Sequence, residues 1–300
     1  MGGGPPADLA IDAALVQALL LEQHRDLAHL PLTPIGEGWD NAVFRLGEDF
    51  AVRLPRREAT ATLIEHEQRW LPQIASRLPL PIPVPVRLGR PGARFPWSWS
   101  VVQWFEGTAA LAEEPRDPAT VGAAVGRFLH AMHVPAPPDA PHNPWRSIPL
   151  DARTARLHEH LDQLRSAVNR ERILALWDRI VATPRWPGPP LWIHGDLHPG
   201  NLVLRDGALS AVLDFGDVTS GDPATDLSVM WMLLPAEHRE PLFAAAGRSR
   251  ANEIDEDVWR RARGWALALG VAYLAMARER DALAELGKRT IESALAGGLY

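Results

Sequence analysis

Three oxygen-bearing side chains occur in an order that suits metal-assisted phosphoryl transfer. Asp196 follows the apolar segment 191–193, Asn201 comes five residues later, and Asp214 ends a second apolar segment. Loops at strand ends can aim such groups at a ligand because the strands hold them rigid. Mg²⁺ prefers hard oxygen ligands and usually takes only one or two carboxylates from a protein. We therefore predict that Asn201 and Asp214 bind Mg²⁺ and that Asp196 accepts the proton of an attacking hydroxyl.

Two histidines in the same stretch offer a different metal site. His194 and His198 have the i, i+4 spacing that zinc ligands show on a helix. The segment HGDLHPGN contains a proline and two glycines, so it is predicted to be a loop, which disfavours zinc. Asp196 and Asp214, taken singly, would more often be turn formers or helix caps. Their order with Asn201, beside apolar strands, favours the catalytic interpretation.

Composition narrows the function classes. The chain has a net charge of −6 and no cysteine, which excludes disulfides, thiolate zinc sites and iron–sulfur clusters. The negative charge argues against nucleic acid as a partner. No apolar run reaches the ~18 residues of a membrane span, and the start lacks the basic segment of a secretory signal. We therefore expect a cytoplasmic protein with no nucleic-acid or membrane partner.

The elements that must position these groups change character along the chain. A leading helix is predicted at 8–28. A second helical segment is predicted at 58–78, with a break at Pro72 or soon after. Around and after that second helix, short apolar runs predict an antiparallel sheet, with strands near 42–46, 50–54, 86–88 and 97–105. The later segments are predicted to be helical at 120–133, 151–168, 171–181 and from 223 onward, with short strands at 191–193, 202–204 and 209–213.

Two domains are expected for 300 residues, at ~100–200 residues each. The predicted fold class is α+β. Residues 1–105 form a small β-rich N-terminal lobe with its leading helix, and residues 106–300 form a larger helical C-terminal lobe that carries the loop with Asp196. The proline-containing segment 135–144 is predicted to be an exposed connector, with a substrate-gating loop as the alternative.

Three motifs together resemble a known family. HGDLHPGN (194–201), DFGD (214–217) and GDPATDL (221–227) look like the aminoglycoside phosphotransferase family, whose fold is the bilobal protein-kinase fold. The protein-kinase catalytic loop also has an Asp and an Asn five residues apart. The resemblance covers roughly residues 30–235. It implies transfer of the γ-phosphate of ATP or GTP to a small-molecule hydroxyl, with Asp196 as the catalytic base and Mg²⁺ as cofactor.

Other residues of these motifs are given supporting roles. His194 stands where the family has the histidine of its catalytic motif. Asp217 and Asp222 are predicted to add negative charge around the metal site. Asp226 is predicted to cap or anchor the helix that begins there.

The resemblance also places a nucleotide site in the N-terminal lobe. The turn in IGEGWDNAVFRL (35–46) is similar to the family's phosphate-covering loop, although it has only two of the usual glycines. Gly36 and Gly38 leave room for the backbone amides up to Asn41 to approach phosphate oxygens. Without the motifs that follow, this segment would be an ordinary hairpin turn.

The next strand carries an arginine where protein kinases have a lysine. In FAVRLPRR, Arg53 takes that place, and its predicted partner is Glu67, with Glu65 as the rival. Arginine keeps the positive charge but presents a planar fork of donors, so the two residues are not interchangeable. The competing interpretation is that Arg53, Arg56 and Arg57 form a solvated basic run at the end of the strand.

The segment between the lobes is the expected purine site. In kinase-like folds the purine binds this segment through backbone groups, so Gln103, Trp104 and Phe105 are the candidate positions. Because backbone groups read the purine, the side chains do not decide between ATP and GTP. Glu106 is expected to face the acceptor or the ribose.

Two acceptor classes remain open on the sequence. Aminoglycosides are polycations, for which the acids of EIDEDVW (253–259) and Asp226 would line a pocket. A bulky apolar acceptor such as a macrolide would instead need aromatic walls, for which the candidates are Trp231, Trp259 and Trp265. At helical spacing such tryptophans are more often part of the core. The sequence does not choose between an antibiotic and a metabolic alcohol, nor does it indicate the oligomeric state.

Two rival functions are also considered. A nucleotide-binding regulator without transfer activity is disfavoured by the intact Asp196, Asn201 and Asp214. A protein kinase is disfavoured because DFGD is followed almost directly by PATDL, which leaves no room for an activation segment ending in A-P-E.

Overall fold

The computed structural model describes residues 5–247, 255–277 and 282–296, and within them the chain forms two compact units. The first unit lies within Met1–Ser76, Pro81–Glu106 and Asp214–Gly216, and the second within Arg77–Leu80, Gly107–Leu213 and Asp217–Tyr300. Each unit has its own fold and is described separately. The first is built on a β-sheet and the second is mostly helical, so the α+β fold class is confirmed.

The first unit contains a five-stranded antiparallel sheet and two helices. Its strands are β1 (Leu32–Glu37), β2 (Asn41–Leu46), β3 (Phe50–Pro55), β4 (Pro85–Gly89) and β5 (Trp99–Gln103), in the spatial order β1-β2-β3-β5-β4. Its helices are α1 (Ala13–Gln23) and α2 (Glu58–Ala75). In the central strand β3, five of the six residues are buried, which makes it a rigid support for Arg53.

Helix α1 is shorter than the predicted 8–28 because Asp12 caps it. The Asp12 backbone is extended, with φ −117° and ψ 171°, and its carboxylate accepts a hydrogen bond from the Leu15 N–H at 2.8 Å. A capping Asp satisfies an amide that has no partner inside the helix. The helix then buries Val16, Leu19 and Leu20 in the core of the unit.

The second unit combines helices with two small sheets. Its helices are α3 (Pro118–Met132), α4 (Thr154–Leu164), α5 (Arg170–Val181), α6 (Ala224–Leu227), α7 (Val229–Leu233), α8 (Glu240–Ala246), α9 (Glu256–Met276) and α10 (Ala282–Ala296). Its strands are β6 (Thr108–Ala109), β7 (Leu191–Ile193), β8 (Leu202–Arg205), β9 (Ala208–Val212) and β10 (Thr219–Gly221). They form the sheets β6-β8-β9 and β7-β10.

The long helix α9 is the core of the second unit. It packs against α10, α4, α5 and α6, and it is buried on almost every side. Trp259 and Trp265 on α9 are fully buried, and so is Trp231 on α7. The structure therefore assigns these three tryptophans to the core rather than to the wall of an acceptor site. No helix in the described ranges has an apolar stretch long enough to cross a membrane.

Candidate functional site

The loop between β7 and β8 carries Asp196 and is fastened by a buried carboxylate. Asp226 accepts hydrogen bonds from the His194 N–H at 2.7 Å and from the Gly195 N–H at 2.9 Å. It also accepts one from His133 Nε2 at 3.1 Å. Burial by itself raises the pKa of Asp226, but these donors bring it below its ordinary value. Asp226 lies in the first turn of α6 but does not cap that helix, whose N-cap is Pro223. Its carboxylate instead anchors the loop of Asp196.

The two ring nitrogens of His194 hold the same loop from inside. Nε2 lies 2.9 Å from the Leu213 carbonyl oxygen, and Nδ1 lies 3.2 Å from the Asp196 N–H. A carbonyl oxygen can only accept, so the proton sits on Nε2 and Nδ1 accepts from Asp196. His198 Nδ1 accepts the Gly200 N–H at 3.0 Å. Both histidines therefore make hydrogen bonds that hold the loop in place.

Glycine is required between His194 and Asp196. Gly195 has φ +87°, and a Cβ atom there would lie 2.3 Å from the Asp217 carbonyl oxygen. Any other residue would force these two backbone segments apart. The loop therefore turns tightly before it presents the Asp196 side chain.

The Asp196 carboxylate is paired with an arginine that the sequence interpretation did not identify. Arg146 Nη2 donates to Asp196 Oδ1 at 2.5 Å, and His198 Nε2 lies 3.7 Å from Oδ2. Burial by itself raises the pKa of Asp196, but Arg146 and His198 bring it below its ordinary value. Asp196 is therefore ionised at neutral pH and able to receive a proton.

Arg146 belongs to a network at the end of segment 135–144. Its Nε lies 3.7 Å from Asp217 Oδ2, and Asn143 Nδ2 donates to Asp217 Oδ1 at 2.7 Å. The end of this segment is thus bound to the candidate site, not only a connector. Arg146 lies 50 residues before Asp196 in a region without periodicity, so no local pattern could have identified it.

Asn201 offers a metal-binding oxygen in a fixed orientation. Its Nδ2 donates to the Asp196 carbonyl oxygen at 2.9 Å, which leaves Oδ1 as an oxygen donor. The described residues contain no cluster of three or more His, Asp and Glu side chains that would hold a metal alone. Mg²⁺ typically takes few protein ligands and completes its coordination with water and substrate phosphates. The chemistry of the donors therefore fits Mg²⁺.

In the first unit, Arg53 connects two carboxylates. Its Nη1 donates to both oxygens of Glu67, at 2.8 and 2.7 Å, and its Nη2 lies 3.3 Å from Asp214 Oδ1. Burial by itself lowers the pKa of Arg53, but the two acids raise it above its ordinary value. Glu65 instead accepts from the Ser98 hydroxyl at 3.1 Å, so Glu67 is the partner. A planar fork can hold both acids at once, which a single ammonium group does less well.

Asp214 combines backbone strain with an accessible carboxylate. Its φ is +60°, in the left-handed region that non-glycine residues rarely adopt. Its side chain is 56% exposed, although Arg53 holds one of its oxygens. Strained residues of this kind cluster at sites where the geometry serves a ligand. Asp214 is a hard oxygen donor and suits Mg²⁺ for the same chemical reason as Asn201.

The arginines after β3 brace the turn that contains Gly38. The Gly38 N–H donates to the Asn41 carbonyl oxygen at 2.8 Å, and Arg56 Nη1 donates to the Gly38 carbonyl oxygen at 3.1 Å. Arg57 Nη2 donates to Asp40 Oδ1 at 2.8 Å. These arginines are therefore not a solvated run. Together they hold the predicted phosphate-covering turn, which also includes Gly36.

The candidate purine segment has one backbone donor already engaged. The Trp104 N–H donates to the Asp49 carbonyl oxygen at 2.7 Å, and the Arg45 guanidinium lies 4.6 Å from the centre of the Trp104 ring. Arg45 also forms an ion pair with Glu106, so that acid has a partner within its own unit. Gln103 and Phe105 flank Trp104 and stay predicted purine positions.

The described acids expected to line a pocket for a polycation form other contacts in the structure. Asp226 is fully buried on the loop described above. Asp255 caps α9 by accepting the Val258 N–H at 3.0 Å. Arg260 pairs with Glu256 at 2.8 Å and with Asp257 at 2.9 Å. Glu253 lies outside the described residues.

Asp222 is also engaged, at the edge of a separate cavity. It forms an ion pair with Arg261 at 2.6 Å and accepts the Ala224 N–H at 3.0 Å. The cavity has a volume of about 320 Å³, and its walls include Trp186 and the segment 147–151. Asp196 is not among its lining residues, so we do not assign it to the phosphoryl-transfer site.

Asp226→Asn is expected to reduce the free energy of unfolding by about 3–5 kcal/mol, because an amide cannot accept from all three donors. The lowered pKa of Asp226 means that its stabilisation is present above the unfolded value of about pH 3.9 and is lost as the pH falls through the folded value. Urea unfolding at pH 7 and at lower pH measures both effects.

The variant should accordingly show a weaker loss of stability on acidification than the parent protein. Asp117→Asn is the matched control, because Asp117 is an exposed helix cap and Asn caps equally well. Equal destabilisation by the two substitutions would contradict the anchoring role of Asp226.

Comparison with known proteins identifies the family whose model this chain matches and a distant relative. Residues 31–265 match the model of a family described as a phosphotransferase enzyme family. Thiamine kinase from Salmonella paratyphi A is 25% identical over 172 residues, which cover 56% of this chain and 55% of that protein. The chain thus spans about half the length of the curated relatives it matches.

Two solved structures share the fold over nearly the whole chain. The GDP complex of an aminoglycoside 2′-phosphotransferase is 19% identical with a TM-score of 0.68, covering 95% of this chain and 99% of that one. A macrolide 2′-phosphotransferase from Brachybacterium faecium is 20% identical with a TM-score of 0.60, covering 95% and 97%. At these identities the similarity establishes a common fold.

Proposed function

This chain belongs to the phosphotransferase enzyme family, and on that basis we propose that it transfers the γ-phosphate of ATP or GTP to a hydroxyl group of a small molecule. The proposal rests on the fixed position and the ionisation of the Asp196 carboxylate. Asp226 and His194 fix the loop on which it lies, and its carboxylate is ionised beside Arg146. A positioned carboxylate of this kind is what such a reaction needs at the acceptor hydroxyl.

The proposed step is a direct displacement at phosphorus. The acceptor oxygen forms a bond to the γ-phosphorus while the bond from that phosphorus to the β–γ bridging oxygen breaks, which leaves the nucleoside diphosphate. The acceptor proton moves to the Asp196 carboxylate. The low pKa of Asp196 makes it a weak base, which suits a loose transition state in which orientation matters more than base strength.

The remaining residues are assigned to the nucleotide and to the cation. Mg²⁺, when bound, would neutralise charge that develops on the phosphates, and we assign Asn201 and Asp214 as its protein ligands. Arg53 would bind phosphate oxygens, with Glu67 orienting its guanidinium. The turn around Gly38 would approach the phosphates through backbone amides. A structural neighbour is described as a GDP complex, which supports a purine nucleotide as the donor.

Arg53→Lys is expected to weaken binding of the nucleoside triphosphate by roughly 10-fold, and Arg53→Ala by more, because charged hydrogen bonds contribute about 1.5–3 kcal/mol. Lysine keeps the charge but holds Glu67 and Asp214 together less well. Isothermal titration with a non-hydrolysable ATP analogue measures both affinities.

Arg53→Ala also removes the ion pair of the buried Glu67 carboxylate with Arg53, so folding needs its own control. The double variant Arg53→Ala with Glu67→Ala should lose less stability than the sum of the two single variants. Affinities equal to that of the parent in both Arg53 variants would refute the phosphate role.

The whole proposal is tested by magnesium-dependent nucleotide turnover with a panel of acceptors. Aminoglycosides, macrolides, amino alcohols and thiamine cover the compounds named for the similar proteins. Stimulated release of the nucleoside diphosphate together with a phosphorylated product supports an enzyme. Nucleotide binding without transfer to any hydroxyl compound would favour the alternative of a regulatory nucleotide-binding protein.

A further inference from the structure

The charge closest to Asp196 is cationic, because Arg146 Nη2 lies 2.5 Å from its carboxylate. The His198 ring lies 3.7 Å away on the other side. The acids of α9 that would attract a polycation are paired with Arg260 or cap the helix. The surroundings of the proton acceptor therefore do not suit an acceptor molecule with several ammonium groups.

A second arginine beside Arg146 is buried without an acidic partner. Arg153 is only 7% exposed, and its Nη1 donates to the carbonyl oxygen of Trp145, the residue before Arg146, at 3.0 Å. Its Nε is buried with no hydrogen-bond partner, and no described carboxylate forms an ion pair with it. The guanidinium lies 5.2 Å from the centre of the Trp265 ring, which offsets only part of the cost of burial.

The environment of Arg153 disfavours its positive charge. Burial, followed by the neighbouring charges of Arg146 and Arg156, lowers the pKa of Arg153 to about 10. A buried charge without a counter-ion costs several kcal/mol. A bound anion would supply the missing counter-charge, and the arginine fork matches carboxylate and phosphate in a bidentate geometry.

A buried hydroxyl group on α9 shares this environment. The Tyr273 ring meets the His198 ring edge to face, with centres 5.7 Å apart, and His198 in turn approaches Asp196. The Tyr273 hydroxyl is buried and has no hydrogen-bond partner. Burial and the charge of Asp196 raise the pKa of Tyr273 well above its ordinary value, so the hydroxyl keeps its proton and can donate it.

We infer that the acceptor molecule carries an anionic group, a carboxylate or a phosphate, which binds the Arg153 guanidinium and the Tyr273 hydroxyl while its own hydroxyl faces Asp196. This inference rests on the proposed function, because it names the acceptor of that same reaction. Arg146 stays paired with Asp196. Arg153, which has no acidic partner among the described residues, supplies the N–H groups that bind the anion. The site selects hydroxy acids or sugar phosphates over polycationic aminoglycosides.

The test compares gluconate and glucose 6-phosphate with glucose, which lacks the anionic group. Thermal unfolding midpoints are measured with Mg²⁺ and a non-hydrolysable ATP analogue present, against sodium chloride at equal ionic strength. At least one of the two anions should raise the midpoint of the parent protein, and which one does so distinguishes carboxylate from phosphate. Arg153→Met should weaken that anion's apparent affinity about 10–100-fold, as expected for a lost charged hydrogen bond.

The control variants separate binding from structure. Arg172→Met alters an exposed arginine and should bind the anion like the parent. Without any anion, Arg153→Met should unfold at the same temperature as the parent or higher, because it removes an unpaired buried charge. Arg153→Lys keeps the charge and should retain part of the binding, while Tyr273→Phe should weaken it.

Two results would overturn the inference. They are midpoint shifts from both anions that are no larger than the shift from glucose, and unchanged anion affinity in Arg153→Met. Magnesium-dependent nucleotide binding, measured in the same samples, tests the proposed function separately. If the protein shows no magnesium-dependent nucleotide binding, the proposed phosphotransferase function is refuted. The effect of Arg153→Met on anion binding can still be measured in that case.

Discussion

Asp196→Asn lowers kcat by about 10²–10⁴-fold and changes nucleotide affinity little, if Asp196 receives the proton of the acceptor hydroxyl. Asparagine has the same shape and can still accept a hydrogen bond from Arg146, so the loop keeps its anchors on Asp226 and His194. What the variant loses is the capacity to take a proton. Steady-state turnover with the best acceptor, together with nucleotide titration, measures the two quantities separately.

Asp222→Asn is the matched control for this experiment. Asp222 also pairs with a buried arginine, Arg261, at 2.6 Å, so the same chemical change is made in a similar ion pair. Its kcat should stay near that of the parent. Comparable losses in both variants would point to general destabilisation, and turnover of Asp196→Asn close to the parent value would remove the proposed role of proton acceptor.

Asp214→Asn is expected to raise the apparent Kd for the magnesium–nucleotide complex by roughly 100-fold, because one of few protein ligands loses its charge. The substitution is chosen for the backbone. Asn tolerates the left-handed region that Asp214 occupies at φ +60°, whereas Ala does not. Asp214→Ala should therefore abolish magnesium-dependent binding and in addition cost about 1 kcal/mol of stability.

Calorimetric titration with and without EDTA provides the measurement. In the parent protein EDTA should remove most of the nucleotide affinity, while in Asp214→Asn it should make little difference. Glu65→Gln serves as the control, since Glu65 lies in the same unit and its partner in the structure is the Ser98 hydroxyl. A variant of Asp214 that binds nucleotide with undiminished magnesium dependence would show that the cation is held elsewhere.

The pairing of Arg53 illustrates what sequence spacing can and cannot decide. Glu65 and Glu67 are two positions apart on a helix, so they cannot both face the strand that carries Arg53. Only one of them can therefore be the partner of Arg53. The choice depends on the rotation of α2 about its axis. That rotation is set by the packing of buried residues such as Ile64 and Trp70, which turns Glu67 inward.

The network around Asp196 shows the same limit over a longer distance. Asp196, Asn201 and Asp214 stand in one short stretch with a characteristic interval, so their roles could be predicted from the chain alone. Arg146, Arg153 and Tyr273 come from two other segments that carry no local signal. Only the folded second unit shows that Arg146 pairs with Asp196, that Arg153 bonds to the residue before Arg146, and that Tyr273 packs on His198.

The amino-acid sequence by itself determined the fold class and the order of the candidate site residues, because apolar periodicity, turn residues and short motifs are local properties of a chain. The tertiary structure decided which charges are already neutralised and which stay without a partner. Asp226 and the acids at the start of α9 are hydrogen-bonded or paired, whereas Arg153 is buried with its Nε unbonded. That distinction depends on burial and on contacts between residues far apart in sequence, which composition and spacing do not contain.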